Sequence, residues 1–215
     1  MHTFVECGKK ISCYCVSKVN IQLEKKHNAV LVEGKDVRAL FLTEKVKNPE
    51  DLFKLPINDV DIIFAIPEKL DLSSAEERLK WSRMSEKMFP ENVLVAFSAG
   101  EYRVKDFHIR GVQDGTSLQF VIESSEGMVG LISGKPSENF IKKYAPLDII
   151  IGEDLALADS QFDLEPFYVV LTNLRPEYMQ QTGITEIKAT DKVNVKKIDA
   201  SARESTVDMA VIHLK

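Results

Sequence analysis

The sequence predicts a layered α/β domain, and three observations carry that prediction. Short apolar runs of strand length, rich in β-branched residues, recur along the 215-residue chain. Most are separated by Gly, Asp, Asn, Pro or Ser, which favour turns. A few segments of helical period lie among them, and no internal repeat or low-complexity tract breaks the pattern, so strands first and then strands mixed with helices are expected in one layered unit spanning residues 1–215.

The strand-length runs are ISCYCVS (11–17), NAVLVEG (28–34), VRALFLT (37–43), DIIFAI (61–66), ENVLVAF (91–97), YRVKDFHIRG (102–111), LQFVIES (118–124), GMVGLIS (127–133), LDIIIG (147–152), FYVVLT (167–172), ITEIKA (184–189), KVNVKKI (192–198) and VDMAVIHL (207–214). Those that alternate in character suit half-exposed sheets, whereas DIIFAI, DIIIG and YVVLT are continuously apolar and require cover on both faces. The clearest helix runs over 75–89: Ser74 to Glu77 fit a capping box, and Leu79, Met84 and Met88 make an apolar stripe, with Trp81 expected to pack on a sheet. Further helices are expected at 48–55, 138–144 and 176–182, the last stopped by Gly183.

Composition narrows the function. The chain is 44% hydrophobic and 28% charged, enough for a substantial core and a well-solvated surface. Its formal charge of −5, with bases dispersed among acids, argues against a general nucleic-acid binder. No apolar run approaches the ~18 residues of a spanning helix, and the first residues lack a signal-peptide pattern, so no membrane role and a cytoplasmic location are expected. Cys7, Cys13 and Cys15 are odd in number and crowd the first fifteen residues. In a strand, Cys13 and Cys15 sit too far apart for easy bridging, and no fourth ligand stands at a zinc-like spacing, so buried structural thiols are the expectation.

Taken together, the segments are similar to the metallo-β-lactamase fold superfamily, most of all to its small bacterial stand-alone hydrolase-like members related to sugar lactonases. ISCYCVS and HNAVLVEG resemble the opening strands, with Glu33 and Gly34 where an aspartate and proline are usual. DVDIIFAIPEKLDLSS resembles the strand and H-x-H-x-D-H turn, SAGEYRVKDFHIRGV the G-P-G-E-Y block, and SLQFVIESSEGMVGLISG the strand pair ahead of a bridging aspartate. LDIIIGED and EPFYVVLTN resemble the last two core strands, and DKVNVKKI with MAVIHL the closing ones. This resemblance implies a four-layer αββα sandwich with two mixed sheets flanked by helices. It also implies a site of two metal ions that activate a bridging water.

The implied ligand positions are where the chain departs. The turn histidines fall at Pro67, Lys69 and Leu72, the bridging aspartate at or beside Lys135, and the terminal histidine at Asn173, while GVQDGTS offers no counterpart for another histidine. Asp71 alone matches, with Glu68 beside it. His2, His27, His108 and His213 form no ligand pair, and His108 should face away from Phe107 and Ile109 on its strand. Lys69 and Lys135 could instead bring positive charge to the old pocket next to Asp71 and Glu68, or simply point into water.

Other chemistries find no support. There is no G-x-S-x-G elbow, Walker loop or G-x-G-x-x-G. SGKPS (133–137) reads as an ordinary turn, and the acids Asp148, Glu153, Asp154, Asp159 and Asp163 as a solvated face. The expectation is therefore a catalytically inactive protein without metal or other cofactor, retained as a binding or interaction module. Its partner would be another protein, a small anionic ligand, or a second copy in a homo-oligomer. The alternative is a hydrolase of small phosphorylated or lactone-like molecules with a site rebuilt around Lys69, Asp71, Lys135 and Asn173, for which no nucleophile is evident.

Overall fold

Strand residues alternate between two faces, and here both faces find apolar cover. The computed structural model describes residues 18–24, 28–47, 52, 55, 59–68, 74–88, 93–125, 127–196 and 209–214. One sheet contains β1 (Lys18–Glu24), β2 (Ala29–Glu33), β3 (Arg38–Leu42), β4 (Ile62–Phe64), β5 (Leu94–Ala96) and β13 (Lys192–Lys196) in the order β13-β1-β2-β3-β4-β5. The other contains β6 (Gly100–Val104), β7 (Phe107–Asp114), β8 (Ser117–Ser124), β9 (Gly127–Ile132), β10 (Ile149–Glu153), β11 (Tyr168–Asn173), β12 (Lys188–Thr190) and β14 (Ala210–Leu214) in the order β12-β14-β11-β10-β9-β8-β7-β6. Both sheets are mixed: β3, β4 and β5 run parallel beside antiparallel neighbours, as do β9, β10, β11 and β14.

Three apolar clusters follow from the period of two. Val30, Val32, Ala39, Phe41, Ile62 and Phe64 of the first sheet meet Ile109, Phe120, Leu131, Ile149, Ile151 and Val170 of the second, forming the core between them. The intervening residues Leu31, Leu40, Leu42, Ile63 and Val95 point the other way and pack with Trp81 of α1 (Ala75–Met88). On the outer face of the second sheet, Val121, Ile132, Ile150, Val169 and Leu171 pack with Phe140 and Tyr144 of α2 (Glu138–Tyr144), Leu157 of α3 (Asp154–Leu157) and Tyr178 of α4 (Pro176–Thr182). Helix, sheet, sheet and helix make four layers, as expected from the sequence.

Several elements differ in detail. The stripe expected on α1 is turned: Leu79 is 49% exposed and Trp81, at 5%, is the residue that packs on the sheet. YRVKDFHIRG is two strands rather than one, because Lys105, at φ 53°, reverses the chain between β6 and β7. ITEIKA contributes only its end to a strand, β12. β1 lies outside the expected runs although Val19, Ile21 and Leu23 alternate cleanly. The first strand-length run and all three cysteines lie outside the described residues, as does the 48–55 helix apart from Leu52 and Leu55. α2 and α4 span the expected residues. Ser137 caps α2 by accepting a hydrogen bond from the Phe140 amide (3.2 Å), and Gly183, at φ 70°, ends α4 in the left-handed conformation.

Candidate functional site

Parallel strands end together, and ligands of α/β folds gather at their carboxyl ends. Here β4, β5, β9, β10 and β11 deliver the segments 65–68, 97–99, 133–137, 153–154 and 173–175 to one edge of the sandwich. Close contacts join the two sheets there. A Cβ on Gly111 of β7 would stand 2.4 Å from the carbonyl oxygen of Ser98, so glycine is required for this approach. The Ser137 amide donates to Asp114 Oδ2 (2.7 Å) across the same edge.

The segment after β9 is fixed from below. Gln119, wholly buried on β8, accepts from the Ser133 amide (2.8 Å) and donates its Nε2 proton to the Gly134 carbonyl (2.9 Å). Ser133 Oγ donates to the Leu118 carbonyl (2.7 Å). A Cβ on Gly134 would lie 2.1 Å from Ser117 Oγ, so this turn is pressed against the start of β8. The sequence signal for Gln119 is one amide in an otherwise apolar run, LQFVI. Turn and capping contacts hold SGKPS in place.

The expected site residues divide. Pro67 and Glu68 sit where β4 ends: Val46 pairs with Pro67, its amide donating to the Ile66 carbonyl (2.8 Å) and its carbonyl accepting from the Glu68 amide (2.9 Å). Pro67 is half-buried and Glu68 exposed. Lys135 has a side chain 67% exposed, with its Nζ 2.7 Å from Asp159 Oδ2. Asn173 ends β11 and is exposed. Lys69, Asp71 and Leu72 lie outside the described residues. Among the described residues, no group of three or more His, Cys, Asp or Glu side chains could together hold a metal ion. His108 is half-exposed near Glu123 (Nδ1 to Oε2, 3.9 Å), between the buried Phe107 and Ile109, as its strand position implied.

The edge carries an ionic centre that the sequence reading missed. Asp154, expected on a solvated face, is fully buried because α3 turns it inward beneath the β11–α4 connection. Arg175 reaches it with Nη2 (2.6 Å) and Nε (2.9 Å), and the backbone amides of Arg175 and Leu155 also donate to it. Burial works to raise the Asp154 pKa, but these hydrogen bonds and the adjacent positive charge outweigh it and hold the carboxyl below its ordinary value. The same pair pushes Arg175 further up. Deeper in, the Tyr178 hydroxyl donates to Gln161 Oε1, and burial lifts the phenol to about 12. Glu153, 3.9 Å from Arg175 Nη2, Asp159, paired with Lys135, and Asp163 are exposed as expected of a solvated face, so Asp154 is the buried exception in the acidic run.

No protein-family model matches the sequence, and no curated protein matches it either. Solved structures do match. A metallo-β-lactamase superfamily protein from Thermotoga maritima superposes with a TM-score of 0.54 over 91% of this chain and 98% of its own, at 10% identity. The metallo-β-lactamase fold protein YhfI from Bacillus subtilis does so with a TM-score of 0.55 over 93% and 96%, at 9% identity. The chain has the metallo-β-lactamase fold. In the metallo-β-lactamase fold the implied metal ligands come from the strand-end segments described above. Among the described residues at those positions, the Pro67 nitrogen is an acylated amide, Lys135 brings a cation and Asn173 a neutral amide, with the carboxylate of Glu68 beside Pro67.

Proposed function

We propose that this protein is a metal-free member of the metallo-β-lactamase fold without hydrolytic activity, acting in the cytoplasm as a binding or interaction module. One observation carries the reading. At the end of β9, where the resemblance calls for a carboxylate bridging two metals, stands Lys135, its ammonium 2.7 Å from Asp159. The position thus supplies no carboxylate: the ammonium has no lone pair to give and is taken up by Asp159. The carbonyl and amide groups of this segment are also engaged, by Gln119 at Ser133 and Gly134. The rebuilt-hydrolase alternative would draw on the same Lys135, but that side chain is already committed to the ion pair with Asp159.

Elemental analysis of protein purified without chelator tests the proposal. Zinc, iron and manganese are expected below about 0.1 equivalent, because the remaining donors cannot replace a set of imidazoles. Near-stoichiometric metal that disappears in Asp71→Ala would overturn it.

A further inference from the structure

Beside Pro67, the chain leaving β3 opens a cleft of about 250 Å³ lined by Asn28, Leu42, Glu44, Lys45, Val46, Lys47, Leu52 and Leu55. Its composition is two-sided. Leu42, Val46 and Leu52 are buried members of the cluster under the first sheet, with Leu55 packed against it, and they give the cleft an apolar floor. Lys45, Lys47, Glu44 and Asn28 are exposed and form the rim. Glu44 is engaged by the Asn28 amide (Nδ2 to Oε1, 2.9 Å), while Lys45 and Lys47 form no ion pair with an acid among the described residues. Among the described lining residues, two lysines stand against one held carboxylate, a positive balance on a protein whose formal charge is −5.

We infer that this cleft binds a small amphipathic anion: a carboxylate or similar head group on a short aliphatic chain. The floor removes the chain from water, and the two ammonium groups receive the head at the mouth. Three features select this class. The volume falls below the ~300–1,000 Å³ of sites for drug-sized molecules, so the ligand is small. A neutral apolar ligand would leave the lysines idle, and a cation would be repelled by them. Screening over ~8 Å at physiological salt lets the local lysines decide, rather than the distant net negative charge. The site lies next to the metal-ligand edge, sharing Val46 with the Pro67 bridge, but it needs no statement about metals.

Titration calorimetry on the full chain with butyrate, hexanoate and octanoate, all below micelle formation, tests the inference. The fluorescence of Trp81, the only tryptophan and a member of the floor's cluster, gives a second reading. Hexanoate is expected to bind saturably, about fourfold tighter for each methylene gained over butyrate until the chain outgrows the cavity. Hexanol, with the same tail and no charge, should bind at least tenfold more weakly. The double variant Lys45→Glu, Lys47→Glu should fold normally, lose hexanoate and take up hexylamine instead. Absence of saturable hexanoate binding, equal binding of hexanol, or unchanged hexanoate binding in the double variant would each overturn the site. Metal content measured on the same preparation keeps the two readings apart, since near-stoichiometric metal bears only on the function proposed above.

Discussion

Asp154 shows how one carboxylate orders an edge. It is fully buried, and it ties the start of α3 to Arg175 in the β11–α4 connection through side-chain and backbone hydrogen bonds. In Asp154→Asn an amide group must face the donors from which the carboxylate accepts, and the negative charge that attracts Arg175 is lost. Because Arg175 is 40% exposed and can turn to water, the cost is expected near the middle of the range for broken buried hydrogen bonds, about 2 kcal/mol at pH 7 by denaturant unfolding. The pH dependence has a definite sign. The folded pKa lies below the ordinary 3.8, so the stabilisation is fully present above 3.8 and is lost as pH falls through the folded value. The gap between wild type and variant should therefore close in acid; a gap that is constant with pH would assign Asp154 a packing role alone. Tyr178 acts at the other end. Its folded pKa is raised to about 12 from 10.0, so the native state holds a proton that the unfolded chain has released between those values, and stability falls as pH rises from 10 towards 12. In Tyr178→Phe that alkaline loss should shrink, while stability at neutral pH drops because Gln161 Oε1 loses its donor. An unchanged alkaline limb would place the titrating group elsewhere.

Helix α1 separates what the sequence pattern specifies from what only packing decides. Its start after Ser74 is written in the capping box and Trp81 packs on the sheet as expected, but the stripe through Leu79 does not, because Leu79 and Trp81 lie two positions apart and so on different sides of a helix. Trp81 is chosen by its partner: its ring stacks at 5.5 Å from that of Phe97 and fills the outer face of the first sheet. Trp81→Ala is expected to cost about 3–5 kcal/mol, and Leu79→Ala less than about 0.5 kcal/mol. Comparable losses in both would mean that α1 is turned from this orientation. The strands were more legible, since DIIFAI, LDIIIG and YVVLT announce double-sided burial and occupy β4, β10 and β11. The β6–β7 reversal was hidden because it uses Lys105 and Asp106 rather than glycine or asparagine, with Lys105 in a backbone region that non-glycine residues enter uncommonly. The candidate site was legible as a set of missing histidines, whereas its observed anchors, Gln119, Asp154 and Arg175, look in the sequence like an isolated polar residue, a member of an acidic run and a pre-proline arginine. Their roles come from contacts between residues 14 to 21 positions apart, beyond any local period.

Direct protein contacts join the two sheets at one end of the sandwich and tie the strand-end segments of the second sheet to one another at the other. At the edge where β3 and β4 begin, Lys105 from the second sheet reaches Asp61 Oδ1 (2.8 Å) and the Asp36 carbonyl (2.7 Å) of the first. At the opposite edge, Gln119 secures the segment after β9, Asp114 the Ser137 amide, and Asp154 the chain after β11. A metal cross-linking those same segments would make stability depend on its occupancy, because a ligand that binds only the folded state stabilises it by mass action. At a thousandfold excess over its dissociation constant that contribution is about 4 kcal/mol, and at ~2–4 °C per kcal/mol for a chain of this size its removal would lower the unfolding temperature by roughly 10 °C. For a fold closed by its own hydrogen bonds, EDTA is expected to leave the unfolding temperature unchanged to within about 1 °C. Differential scanning fluorimetry with and without chelator, repeated after adding back zinc or manganese, makes the comparison. A fall of several degrees that added metal restores would show that the edge is held by an ion, and the binding-module reading would give way to a metal-dependent one.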